Sequence, residues 1–193
     1  METDKKILKI LLKDFAVDHT ITSLSKTIGI SRVGAWKLLK KLEKEDLISL
    51  SRIGTGKTSI SRINLNWSNL VLEKTLALIL AEEAVKNQRW INNFKELEGK
   101  VYFLIIYGSI IHSQKEANDI DIIGVTNKFL EVENSIKNIQ KTQIKKIHAI
   151  NLTEKEFMEE LKKNKAFIEA VKKGVILFGQ EKFIKFIRNI IIK

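Results

Sequence analysis

The chain has no cysteine and no proline in 193 residues, only nine glycines, and few aromatic residues, at 7%. Without cysteine, no disulfide framework and no thiolate metal site can form. The lack of proline excludes little by itself. No run of eighteen apolar residues occurs, so no membrane-spanning helix is expected. Lysines recurring from Lys5 to Lys13 break up any signal-peptide core. A cytoplasmic protein with no membrane partner is the simplest expectation. Acidic residues are outnumbered, 23 against 34 Lys plus Arg, giving a net charge of +11. Such a balance favours a polyanionic partner, nucleic acid or an anionic surface. The hydrophobic content, 44%, is that of an ordinary globular protein, and the length allows one large domain or two small ones.

Near the N-terminus, Ile7, Ile10, Leu11 and Phe15 recur at the spacing of one helical face. Thr22 or Ser23 is placed to cap a short second helix around Leu24, Lys26 and Ile28, which Gly29 ends. Ser31 is a good N-cap for a third helix reaching about Asp46, with Ala35, Leu39 and Leu42 on its inner face. Arg32, Val33, Trp36, Lys37, Lys40 and Lys44 lie on the opposite face. Two alternating runs, residues 48–53 and 59–65, joined through Gly54, Gly56 and Lys57, predict a β-hairpin. Gly56, Lys57 and Thr58 imitate the end of a Walker phosphate-binding loop. The position of that motif's first glycine is Ser51, however, and no helical pattern follows Thr58.

Three helices followed by a hairpin resemble the winged helix-turn-helix of bacterial and archaeal regulators, over residues 4–66. The resemblance implies that the third helix enters the major groove of double-stranded DNA, with the hairpin as the wing. Residues 20–66 carry six Lys and three Arg against Glu43, Glu45 and Asp46, a net of +6. Such cations release counterions from phosphates and give salt-dependent affinity. The expected DNA-contacting residues are Ser31, Arg32, Trp36, Lys37 and Lys40 on the helix and Arg52 and Lys57 on the wing, with Arg32 and Lys37 foremost. Trp36 fits a sugar or a thymine methyl, and equally a cover for the wing or a dimer contact. Gly34 inside a helix costs about 1 kcal/mol relative to alanine, which points to a close approach by something.

Residues 69–86 predict the most apolar helix, with Leu70, Leu72, Leu76, Ile79, Leu80 and Ala84. Apolar residues on most sides predict burial on most sides, between two domains or against a second copy in a homodimer. Beyond Gly99 the pattern becomes strand, turn and strand. Apolar runs at 101–106 and 120–125 flank Tyr107-Gly108-Ser109 and, ten residues on, Asp119-Ile120-Asp121. Residues two apart on a strand point the same way, so Asp119 and Asp121 share a face and Ile120 and Ile122 take the other. Two carboxylates this close repel unless a divalent cation lies between them. Gly108 lets backbone approach a ligand, and a turn from strand to short helix offers N–H groups and the Ser109 hydroxyl to a phosphate. Metal ligands beside a phosphate cradle point to phosphoryl or nucleotidyl transfer.

Gly108-Ser109, a loop of ten residues, then Asn118-Asp119-Ile120-Asp121 resemble the signature of the minimal nucleotidyltransferases of the DNA polymerase β superfamily, over about residues 95–180. Two positions depart from that family. Ser113 stands where a second loop glycine is common, and the later strand around Lys145-Lys146-Ile147-His148 lacks the third Asp that active members usually carry. The resemblance implies two Mg²⁺ ions and a nucleoside triphosphate (NTP) as substrate. Gly108 and Ser109 would hold phosphate, and Asp119 and Asp121 would bind metal and act in catalysis. His148 is the candidate for the third position; imidazole accepts protons but ligates Mg²⁺ poorly. A strand residue with no role is an equal reading for it, and Glu131 or Glu133 brought close by folding is another source of the missing oxygen.

The expected architecture is thus α+β. It comprises a winged helix-turn-helix at 1–67, a helical linker or dimerisation segment at 68–98, and a nucleotidyltransferase-like mixed sheet flanked by helices at 99–193. Two functions fit. One is a Mg²⁺-dependent nucleotidyltransferase delivered to DNA, passing a nucleoside monophosphate to a protein or other hydroxyl acceptor, as some relatives of that family do in toxin–antitoxin pairs. The other is a transcriptional regulator whose degenerate transferase domain senses nucleotide or dimerises.

Overall fold

The computed structural model describes residues 2–15, 17–53, 60–113 and 115–191, a mixed α+β chain of two compact units. The first unit comprises residues 1–79 and 184–193, the second residues 80–183. Lys57 and the rest of the predicted hairpin tip lie outside the described residues.

The first unit opens with α1 (Glu2–Lys13), α2 (Ile21–Ile28) and α3 (Arg32–Lys44), then β1 (Ile48–Ile53) and β2 (Ile60–Leu65). Its core is the inward stripe of each helix, including Ile7, Leu8, Leu12, Leu24, Ala35, Leu39 and Leu42, closed by Ile48 and Ile63. α2 is capped by Thr20, two residues before the expected Thr22 and three before Ser23. Its hydroxyl accepts the Ser23 N–H and the Ser23 hydroxyl answers the Thr20 N–H, forming a capping box. Gly29 ends α2 in the left-handed region at φ 81°. Asp46, also left-handed at φ 56°, turns the chain from α3 into β1 and is held through Asn66 Nδ2 on its carboxylate at 2.8 Å. β1 and β2 pair antiparallel from Ile48 opposite Leu65.

α4 (Leu70–Val85) starts in the first unit and ends in the second. Its predicted burial on most sides is corrected. Leu72, Leu76, Ile79, Leu80 and Ala84 are buried along one stripe, whereas Leu70, Val71, Leu78 and Val85 are exposed. A single buried stripe at 3.6-residue spacing accommodates only part of the helix's apolar content.

The second unit continues with α5 (Gln88–Asn93), a 3₁₀ turn (Lys95–Leu97), β3 (Phe103–Tyr107), a 3₁₀ turn (Ser109–Ile111), β4 (Asp119–Val125), α6 (Phe129–Gln140) and β5 (Lys146–Leu152). Next come α7 (Glu154–Lys163), α8 (Lys165–Lys173), β6 (Val175–Phe178) and α9 (Gln180–Ile191), which returns to the first unit. The sheet order is β5-β4-β3-β6, with β4 and β5 parallel and the other pairs antiparallel. One set of buried residues joins Leu104, Ile106, Ile120 and Ile122 to Trp90, Phe94, Val132 and Ile139. Elsewhere Phe103 meets Phe157 and Phe183 edge-on, at centroid distances of 5.2 and 5.4 Å.

Candidate functional site

In the first unit the chemistry converges on α3. Ser31 caps it, its Oγ accepting the Gly34 N–H at 3.0 Å. A Cβ at position 34 would lie 3.2 Å from that Oγ, so the small residue leaves room for the cap itself. With Ala35, Leu39 and Leu42 buried, the outward face carries Arg32, Val33, Trp36, Lys37, Lys40 and Lys44, all exposed. Arg32 and Lys37 make no ion pair or side-chain hydrogen bond with any described residue. Lys40 differs: its Nζ is 2.7 Å from Glu43 and 4.7 Å from the centroid of the Trp36 ring. Lys41 is tied to α1 by an ion pair with Asp4 at 2.5 Å, and that hydrogen bond holds its ammonium above the ordinary lysine range. Arg52 is exposed on β1. Val33, exposed at 66%, was not picked out as a site residue from the sequence; its signal was an apolar side chain off the 35/39/42 stripe.

In the second unit three strands meet at one row. Tyr107 on β3 pairs with Asp121 on β4, and Asp121 pairs with His148 on β5. Cross-strand partners project to the same face, so these three side chains stand side by side, opposite the buried Ile120 and Ile122. Asp119 joins them two residues along β4. His148 Nδ1 lies 3.6 Å from Asp121 Oδ1 and 3.9 Å from Asp119 Oδ2, with all three side chains between 30% and 45% exposed. Tyr107 is the member the sequence reading did not select. Burial, and then the negative charge of Asp121, push its phenol above the ordinary tyrosine range.

The Gly-Ser turn closes the row at its end. Gly108 adopts φ 83° and ψ −165°, a region essentially confined to glycine. A Cβ there would sit 2.7 Å from Asp121 Oδ2, so the carboxylate occupies the space that a side chain at 108 would fill. Ser109 is exposed beside it, opening the 3₁₀ turn whose His112 N–H donates to Ser109 O at 3.0 Å. The loop before Asp119 is tied to the residue that precedes β5, because Lys145 Nζ donates to the carbonyl of Ala117.

Glu131 and Glu133 do not supply a further carboxylate. Both are exposed in the first turns of α6, which begins beyond the opposite end of β4 from Asp119, and Glu131 faces Lys128 at 3.8 Å. Among the described residues, no group of three or more His, Asp or Glu side chains is placed to hold a metal ion by itself. Two carboxylates do suit one Mg²⁺ that takes its remaining oxygens from phosphate and water. An imidazole in the third position does not suit a second such ion.

Residues 2–49 match the winged helix-turn-helix DNA-binding family, which takes in all three helices and the start of β1. No curated protein and no solved structure shows significant similarity to the chain. No helix among the described residues is long and apolar enough to cross a membrane.

Proposed function

We propose that the chain is a DNA-binding nucleotidyltransferase, in which the winged helix-turn-helix brings to DNA a unit that passes a nucleoside monophosphate from Mg-NTP to a hydroxyl acceptor, a protein side chain included. The observation that carries this reading is the row on β4 and β5, two same-face carboxylates with an imidazole in register, closed by a glycine whose missing Cβ makes room for one of them. Asp119 and Asp121 would hold one Mg²⁺ together with the triphosphate, and the ion's contribution is to neutralise phosphate charge. Exposed Gly108 and Ser109 lie where the phosphates would pass. His148 turns Nδ1 towards the carboxylates, which leaves Nε2 to take the proton from the acceptor hydroxyl. As that oxygen bonds to the α-phosphorus, the bond to the bridging oxygen breaks and pyrophosphate leaves.

Titration calorimetry with ATP, GTP, CTP and UTP in the presence of Mg²⁺ tests the binding half, against Asp119→Asn/Asp121→Asn. Heat of binding in the wild type and none in the variant is expected; equal heats refute the assignment. Labelled nucleotide incubated with the protein and candidate acceptors tests the chemistry. His148→Gln should lower label transfer by about 10²- to 10⁴-fold, the usual worth of a general base, while leaving the calorimetric heats unchanged.

A second reading, a regulator whose second unit binds nucleotide without turning it over, is favoured because no third carboxylate stands beside Asp119 and Asp121 among the described residues. Nucleotide heats without label transfer to any acceptor would select this reading.

A further inference from the structure

We propose that α3 reads thymine methyl groups in the major groove through Val33 and Trp36, so that the preferred duplexes are rich in thymine at the contacted positions. The inference rests on the DNA-binding reading and specifies the chemistry of the duplex it takes. In a helix-turn-helix the N-terminal residues of the recognition helix face the base edges. Here those turns expose Val33 at 66% and Trp36 at 38%, three residues apart and on the side away from buried Ala35 and Leu39. Large apolar side chains there gain nothing from solvent.

The rest of the helix narrows the choice. Residues 32–44 contain no Asn, Gln, Ser or Thr, so the bidentate amide contact that selects adenine has no donor on α3. Arg32 and Lys37, unpaired among the described residues, can bond guanine or phosphate. Lys40 pairs with Glu43 at the surface and lies over the Trp36 ring, which steadies the indole. In the major groove the thymine C5-methyl is the apolar feature of the base edges. It is the group that the Val33 side chain and the Trp36 ring can cover by apolar contact.

The test uses the full chain. Duplexes bound from a random-sequence library are sequenced, and the tightest is resynthesised with deoxyuridine for thymidine, which removes the methyl and keeps every hydrogen-bonding group. Thymine enrichment is expected, with about a fourfold loss of affinity per contacted methyl, the factor that burying one such group is worth. The loss should shrink in Val33→Ala and vanish in Val33→Ala/Trp36→Ala, with the salt dependence of binding unchanged; exposed sites keep these variants folded, checked by circular dichroism. Arg32→Ala/Lys37→Ala should do the reverse, flattening the salt slope by about two while keeping the deoxyuridine effect. Selection without thymine enrichment, or equal affinity for the two duplexes, overturns the proposal. Failure to bind any duplex at low salt instead removes the DNA-binding reading on which it stands.

Discussion

Replacing Gly108 by alanine perturbs the row at its tightest point, and the structure separates two costs. The backbone at φ 83° and ψ −165° is one that other residues avoid, which alone costs about 1–3 kcal/mol. The new Cβ would also lie 2.7 Å from Asp121 Oδ2. That oxygen ends a short side chain and can rotate away, so the clash displaces the carboxylate more than it unfolds the strand. The loss should lower the melting temperature by about 2–4 °C for each kcal/mol in a chain of this size. Trp90 is 1% exposed within the second unit, so its fluorescence in a Trp36→Phe/Trp67→Phe background reports on that unit. Asp121→Ala removes the clash and keeps the backbone strain; Gly108→Ala should therefore cost less in an Asp121→Ala background than in the parent. Equal costs in both backgrounds would refute the packing of Asp121 against Gly108, and no cost in either would refute the strained backbone as well.

Thr153→Ala opens the capping box of α7, in which Thr153 and Glu156 satisfy each other's backbone N–H groups, and should cost about 1 kcal/mol. The Thr153 N–H, then its hydroxyl, hold the Glu156 carboxyl below the ordinary glutamate range. Stability from this lowered value is present above the unfolded pKa of about 4.3 and lost as pH falls through the folded one. Thermal melts at stepwise lower pH should show wild type and Thr153→Ala converging; a constant gap would argue against the carboxylate's part in the cap. Phe103→Ala removes the ring that Phe157 and Phe183 meet edge-on and should cost about 3–5 kcal/mol. A loss under 1 kcal/mol in chemical denaturation would mean that this part of the core collapses around the gap.

Features written in local residue types were legible in the sequence. Ser31 as a cap, Gly29 as a helix stop and the alternation in residues 48–53 each follow from the preferences of one or a few neighbouring residues. Thr20 shows where that logic fails. It took the cap from Thr22 and Ser23 because the strand beside it fixes its backbone: Ile63 N–H donates to His19 O at 3.1 Å, and Thr20 itself bridges to Arg62. That contact spans more than forty residues, and no local preference encodes it. The same holds for β6, whose residues become a strand by pairing with β3, some seventy residues earlier in the chain.

The same division runs through the site. Asp119 and Asp121 declare a shared face by their spacing alone, and Gly108 declares a conformation. Their neighbours depend on register between strands far apart in the chain. A one-residue slip of β5 against β4 would turn His148 to the opposite face and bring Ile147 beside Asp121. What fixes that register is nonlocal: Ile147, 8% exposed, on the core side, and the Lys145 side chain bonded to Ala117 O just before Asp119. His148 therefore owes its place beside the two carboxylates to a lysine and an isoleucine that carry no chemistry of their own. Tyr107 is set in the row by the equivalent pairing across β3 and β4.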